Sequence, residues 1–317
     1  MSVIPLFPEF TDVDITHRGQ IEACSTENPR TISELNFAEI FAWHNIREMK
    51  ATKHNGNIIL LVNKAGKKYI YPPFGNNAPY KSVIAMLEWL SKNDPEIYAY
   101  GFNEQQAKVS EESCVLSAEE DRDNADYVYS CGDLIRLAGR KFDGKRNHLK
   151  NFYRNFESVF EKITPEMIPA IKDFQERWCR ERMCEDDLSL ANESKAVMEV
   201  LDNYTGLPVF GGVLKIKGEI QAFTVASELN SETAVVLFEK ARPELRGIYQ
   251  AINQQFCENM LSGYKWINRE QDSGDEGLRR AKLSYNPARL EMKYILRLRE
   301  NKKCAEWNKS PAPDVKF

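Results

Sequence analysis

The sequence predicts an α/β protein made of two related lobes. Three observations predict it. The chain has 317 residues, enough for two domains of ordinary size, each with its own core. Both halves show a hairpin, a helix, a strand and then a helix. Between them runs an acidic polar stretch, "VSEESCVLSAEEDRDNAD", the best boundary in the chain. The expected lobes are 1–125 and 126–317. No residue-level repeat accompanies the shared order.

In the first half, "ISELNFAEIFAWHNI" offers a short apolar face through Leu35, Phe37, Ile40, Phe41 and Trp43. "GNIILLVNKAGKKYIYPPFG" reads as a hairpin, with Gly66 supplying the positive φ of its turn. "YKSVIAMLEWLSKN" spaces Val83, Ile84, Met86, Leu87 and Leu90 as one helix face, and "PEIYAYGF" is a short strand. The second half opens near Tyr127 with "YVYS" and "GDLIRLAG". A basic segment and a long helical stretch follow. "FGGVLKIKGEIQAFTVASEL" is a second hairpin turning at Lys217-Gly218, and "TAVVLFEKA" is a buried strand. "RGIYQAINQQFCENMLSG" is a helix stopped by Gly263. "YKWIN" is a strand, "DEGLRRAKLSY" a helix and "EMKYILRL" a final strand.

Hydrophobic residues are 42% of the chain and charged residues 28%, as in a globular protein. A net charge of -4 excludes a uniformly basic nucleic-acid coat but leaves room for a local basic groove. Seven scattered cysteines, without metal-ligand spacing, read as reduced thiols in a cytoplasmic protein. "MSVIPLFPEF" lacks the pattern of a signal peptide, and no apolar run is long enough to span a bilayer. The expectation is a soluble protein with no transmembrane segment and no metal.

Three segments carry candidate chemistry. "GRKFDGKRNHLKNFYRNF" is strongly basic. On a helical wheel Leu149, Phe152, Phe156, Val159 and Phe160 form an apolar face. Arg146, Lys150 and Arg154 form a basic stripe beside it, and Lys145 precedes them. The stripe is either a solvated face or one wall of a phosphate groove. "FEKARPELRGIYQAINQQF" ends a strand at Glu239 or Lys240 and opens a helix at Arg246-Gly247-Ile248, where free N–H groups and the helix dipole favour an anion. In "YKWINREQDSGDEGLRRAKLSYNP" a strand delivers Asn268, Arg269, Glu270 and Asp272 to its carboxyl end, followed by Lys282 and Tyr285. Arg269 paired with Glu270 or Asp272 is the plain structural reading of that corner.

At these residues the chain resembles a bacterial family related to the C-terminal catalytic domain of phosphatidylglycerol lysyltransferase. "YVYSCGDLIRLAGRKFDGKRNHLKNF", "LFEKARPELRGIYQAIN" and "WINREQDSGDEGLRRAKLSYNP" carry the likeness. The resemblance implies two GNAT-like acyltransferase lobes in tandem, each a mixed sheet flanked by helices. It also implies a catalytic set of Glu239, Asn268 and Tyr285. Glu239 would take a proton from the acceptor and Tyr285 would protonate the leaving group. Arg246, Gly247, Ile248, Arg269, Lys282, Lys145, Arg146, Lys150 and Arg154 would hold the donor's phosphates. The chain departs from the pattern twice: its glycine-rich phosphate loop is reduced to Arg246-Gly247, and the transmembrane flippase region is missing.

The reading is therefore an acyl- or aminoacyl-transferase without a tightly bound cofactor. Its donor would be an aminoacyl-tRNA, with tRNA as partner, or an acyl-CoA. Its acceptor would be a small molecule, a peptide or a lipid headgroup. The alternatives are a CoA-dependent N-acetyltransferase and a non-catalytic binder of an anionic ligand on the same fold.

Overall fold

The computed structural model describes residues 3–24, 30–76, 78–112 and 115–299. They fall into two compact units, one within Met1–Ala125 and Glu291–Phe317, the other within Asp126–Leu290.

The first unit contains β1 (Thr11–Asp12), α1 (Arg18–Ala23), α2 (Phe37–Trp43), β2 (Lys50–His54), β3 (Asn57–Lys64), β4 (Lys67–Ile70), α3 (Pro79–Leu90), β5 (Tyr98–Phe102) and α4 (Glu104–Glu112). β6 (Leu116–Ser130) begins in this unit and ends in the second. The acidic stretch is thus largely a strand rather than a linker. Its first part is mostly half-buried and polar, so it shows no apolar alternation for a sequence reading to find.

The second unit adds α5 (Cys131–Arg136), α6 (Asp143–Asn155), β7 (Ser158–Lys162), α7 (Ile168–Glu181), α8 (Leu188–Asp202), β8 (Val209–Ile216), β9 (Glu219–Asn230), β10 (Thr233–Ala241), α9 (Ile248–Met260), β11 (Trp266–Asn268) and α10 (Glu276–Leu283). β12 (Arg289–Leu298) returns the chain to the first unit, where it pairs antiparallel with β5. That pairing is why residues from Glu291 belong with the N-terminal part.

Both units repeat one topology. In the first, β2, β3 and β4 form an antiparallel meander, and β4 pairs parallel with β5 across α3. In the second, β7, β8, β9 and β10 form the meander, and β10 pairs parallel with β11 across α9. Each unit also has a hairpin with the same left-handed turn. Ala65 and Gly66 have φ of 51° and 84°, and Lys217 and Gly218 have φ of 52° and 82°. Two consecutive positive φ angles match the twist of the paired strands, and glycine takes the second without strain. The fold is the tandem arrangement expected.

In the second unit α6 and α9 bury Leu149, Phe152, Ile252 and Phe256 in one core with the sheet. On α7, Phe174 meets Phe223 of β9 edge to face. The basic helix is shorter than the wheel implied. It stops at Asn155, Phe156 is extended, and Ser158–Lys162 is a strand on which Val159 is exposed. Apolar residues at 156, 159 and 160 fit a helical face, but they also fit a helix end followed by an edge strand.

One cysteine expectation is overturned. Cys179 and Cys184 form a disulfide, their Cα atoms 5.2 Å apart. α7 ends at Glu181, and Met183 in the left-handed region turns the chain back, which brings the two sulfurs together. Cys24, Cys131 and Cys257 are free thiols, while Cys114 and Cys304 lie outside the described residues. Trypsin digestion without reductant is expected to leave Trp178–Arg180 joined to Met183–Lys195, a species that mass spectrometry should lose on reduction. Separate peptides from unreduced protein would contradict the bond. Among the described residues, no helix is long and apolar enough to cross a membrane.

Candidate active site

β10 and β11 pair only at Thr233–Trp266, Ala234–Ile267 and Val235–Asn268. β10 then continues to Ala241 while β11 ends, so the two strands part. A parted pair of parallel strands leaves a crevice at their carboxyl ends, the usual ligand position in such sheets. The side chains at this opening come from β6, α6, β10, α9 and the segment from Arg269 to Tyr285.

Glu239 and Arg269 meet across the opening, Nη2 donating to Oε1 at 2.8 Å. Their side chains are 11% and 18% exposed, so this is a nearly buried pair. Burial pulls the Arg269 guanidinium down, but Glu239 together with Tyr285, Tyr129 and Cys257 outweighs it and holds the group firmly charged. The guanidinium carbon lies 5.6 Å from the centre of the Tyr285 ring. Tyr129 packs edge-on to that ring. Burial keeps the Tyr285 phenol protonated well above its ordinary range, against the opposing pull of Arg269. Lys145 reaches from α6 and sets its Nζ 3.9 Å from the ring centre, while donating to Ser284 Oγ at 2.6 Å. Its pKa is lowered to about 8, first by burial and then by Arg269.

The segment that carries Tyr285 is fixed from below. Lys282 Nζ donates to the carbonyls of Arg269, Glu270 and Gln271 at 2.6, 3.1 and 2.6 Å. Asp272 accepts Nε and Nη2 of Arg279 at 2.8 and 2.7 Å and the Tyr127 hydroxyl at 2.6 Å. Burial would raise the Asp272 carboxyl, but these bonds hold it far below the usual carboxylate range. The Tyr129 hydroxyl donates to the Lys282 carbonyl at 2.9 Å.

The structure thus brings Glu239, Arg269, Tyr285 and Lys145 together and turns other predicted residues elsewhere. Asn268 is fully buried; its amide donates to Asp126 at 2.9 Å and accepts from the Glu270 N–H at 2.8 Å. It fixes the end of β11. Lys282 is spent on three carbonyls. Arg146 is turned back on its own helix start, binding the Leu137 and Gly139 carbonyls and Asp143. Gly247 has φ of 95°, and a Cβ there would stand 2.5 Å from the His148 carbonyl oxygen. The glycine admits α6 to α9, so its α6-facing side is filled by protein rather than open to phosphate. Lys150 and Arg154 are exposed on α6; Arg246 and Ile248 precede and open α9, with Ile248 buried.

Sequence reasoning missed the true partner of Arg269, which is Glu239 rather than Glu270 or Asp272. It also missed Tyr127, Tyr129 and Ser284, and it gave Arg279 to the donor's phosphates, whereas Arg279 is paired with Asp272. Tyr127 and Tyr129 alternate along one strand, a period that places both on one face. Nothing local signals what that face meets.

Residues 26–297 match the family described as phosphatidylglycerol lysyltransferase, C-terminal. A solved conserved protein of unknown function from Bacteroides thetaiotaomicron is 30% identical, with a TM-score of 0.84 over 92% of this chain and 99% of that one. The structure of L-PGS from Bacillus licheniformis aligns with a TM-score of 0.59 at 14% identity, over 92% and 94%. FemX aligns at 0.55 and 9% identity, over 90% and 96%. An uncharacterised Mycoplasmoides gallisepticum protein is 23% identical over 185 residues, 55% of this chain and 56% of its own. The chain therefore spans a little over half the length of that curated relative.

Proposed function

The chain belongs to the phosphatidylglycerol lysyltransferase C-terminal family, and from that premise we propose that it transfers an aminoacyl group from a charged tRNA to a hydroxyl or amine. The observation that carries this reading is the Glu239–Arg269 pair across the opening of β10 and β11, with Tyr285 and Lys145 beside it. An ester carbonyl held there would develop negative charge next to a permanently charged guanidinium. The protonated Tyr285 phenol is suited to donate a hydrogen bond to the carbonyl or leaving oxygen. The exposed Lys150 and Arg154 would meet the tRNA backbone. The α6 backbone against Gly247 argues against a CoA diphosphate cradled on that side of the α9 start.

Purified protein offered radiolabelled lysyl-tRNA or acetyl-CoA, with phosphatidylglycerol vesicles or a lysine-bearing peptide as acceptor, is expected to consume the tRNA ester and spare the thioester. The reverse preference would replace this reading by the CoA-dependent one. Binding of either donor without turnover would favour the non-catalytic reading. Lys150→Gln together with Arg154→Gln should leave the melting temperature nearly unchanged. In the log–log salt plot, the pair should flatten tRNA binding by a slope of about 1.8 if both cations contact duplex phosphates. An unchanged slope would return the stripe to a solvated face.

A further inference from the structure

We propose that Lys145, rather than Glu239, carries the proton during transfer, a role that rests on the acyl-transfer reading above. Four acids of this unit are already engaged by cations. Glu239 holds Arg269, Asp272 holds Arg279, Asp143 holds Arg146 and Asp133 holds Lys141. A proton placed on Glu239 would strip the buried Arg269 of its counter-charge, and a guanidinium cannot respond by losing a proton.

Lys145 differs from its cationic neighbours. Its amine touches a hydroxyl, Ser284 Oγ, and the face of an aromatic ring. It has no ion pair with a carboxylate among the described residues. The titratable and charged groups that face it are Tyr285 and Arg269; Glu239 and Tyr129 stand behind these two, and Asp143, Arg146 and His148 share its helix. Of these, Arg269 is the one that bears on it, and it disfavours a second positive charge. The ring contact favours the ammonium modestly, while burial and the guanidinium oppose it. An amine so placed exchanges a proton near neutral pH, the property a general base needs.

The step balances. The neutral amine takes the proton from the acceptor oxygen or nitrogen as that atom attacks the ester carbonyl. A new C–O or C–N bond forms and the ester C–O bond to the tRNA breaks. The lysine ammonium then returns the proton to the departing tRNA oxygen. Tyr285 supplies a hydrogen bond and keeps its own proton.

Two measurements test this, each independent of the other. Trace acetylation of the native protein across pH 6 to 11, read by mass spectrometry on the Lys145 peptide, should give a midpoint near 8. A midpoint in the ordinary lysine range, about 10.4, would overturn the proposal without touching the transfer reading. With lysyl-tRNA and phosphatidylglycerol vesicles, the wild-type rate should climb with pH through the same midpoint. Lys145→Gln and Lys145→Arg should both lower kcat by about a hundredfold or more and lose that climb. Arginine retains the charge but cannot pass a proton. If Lys145→Arg keeps kcat and its pH profile, Lys145 is a phosphate contact and the proposal fails while the transferase reading stands. A wild-type protein inert with every donor would overturn the transfer reading and this role together, whatever the titration gives.

Discussion

Glu239→Leu is expected to destabilise the protein by about 3 to 5 kcal/mol and to abolish transfer. Breaking a buried ion pair from one side costs that much because the surviving charge is left in a poor solvent. Here the survivor is Arg269, which stays charged in any accessible pH range. The side chains are only 11% and 18% exposed, so water cannot restore much of what the carboxylate supplied. Replacing both, Glu239→Leu with Arg269→Met, removes the stranded charge and should recover most of the lost stability, yet leave the protein inactive. Urea unfolding of the two single variants and the double variant gives the coupling directly. If the double variant is as unstable as the sum of the single ones, the pair contributes no coupling and the buried-pair account is wrong. If the double variant retains transfer, Arg269 does not serve the reaction.

That pair also marks the limit of what the sequence could say. The elements were largely legible, because their signals are local. Lys217-Gly218 announces a left-handed turn, and the apolar runs on either side announce its strands. Arg269 and Tyr285 were legible as candidates, since a strand exit crowded with polar residues is unusual. Their relations were not. The partner of Arg269 lies 30 residues away, on a strand that β11 touches and then leaves. Nearer acids in the same segment looked equally suitable. Arg146 and Lys145 are adjacent and chemically similar in sequence. One curls onto its own helix start and the other reaches a buried ring, a difference set by the direction in which α6 presents each side chain. The disulfide was hidden because Cys184 stands five positions after Cys179, and only the left-handed turn at Met183 closes that distance.

Gly247→Ala tests what the small residue at the α9 start is for, and its effect should be large. A left-handed backbone alone costs a non-glycine residue about 1 kcal/mol or somewhat more. Gly218→Ala, at φ of 82° with nothing within 4 Å of its added Cβ, isolates that term. Gly247 has nearly the same φ, 95°, but its Cβ would stand 2.5 Å from the His148 carbonyl oxygen and 3.0 Å from Phe152 Cβ. The first obstacle is backbone, so relief requires α6 to move from α9, adding about 1 to 3 kcal/mol of overpacking. Gly247→Ala should therefore lose about 2 to 4 kcal/mol, clearly more than Gly218→Ala. Its surviving folded fraction should also transfer poorly, because α6 carries Lys145 over Tyr285 and a shift of about 1 Å is enough to spoil a reacting geometry. If the two alanine variants melt together and Gly247→Ala keeps full activity, the glycine does not set the α6 packing. The space beside it would then be free for a donor's phosphate, as the sequence first suggested.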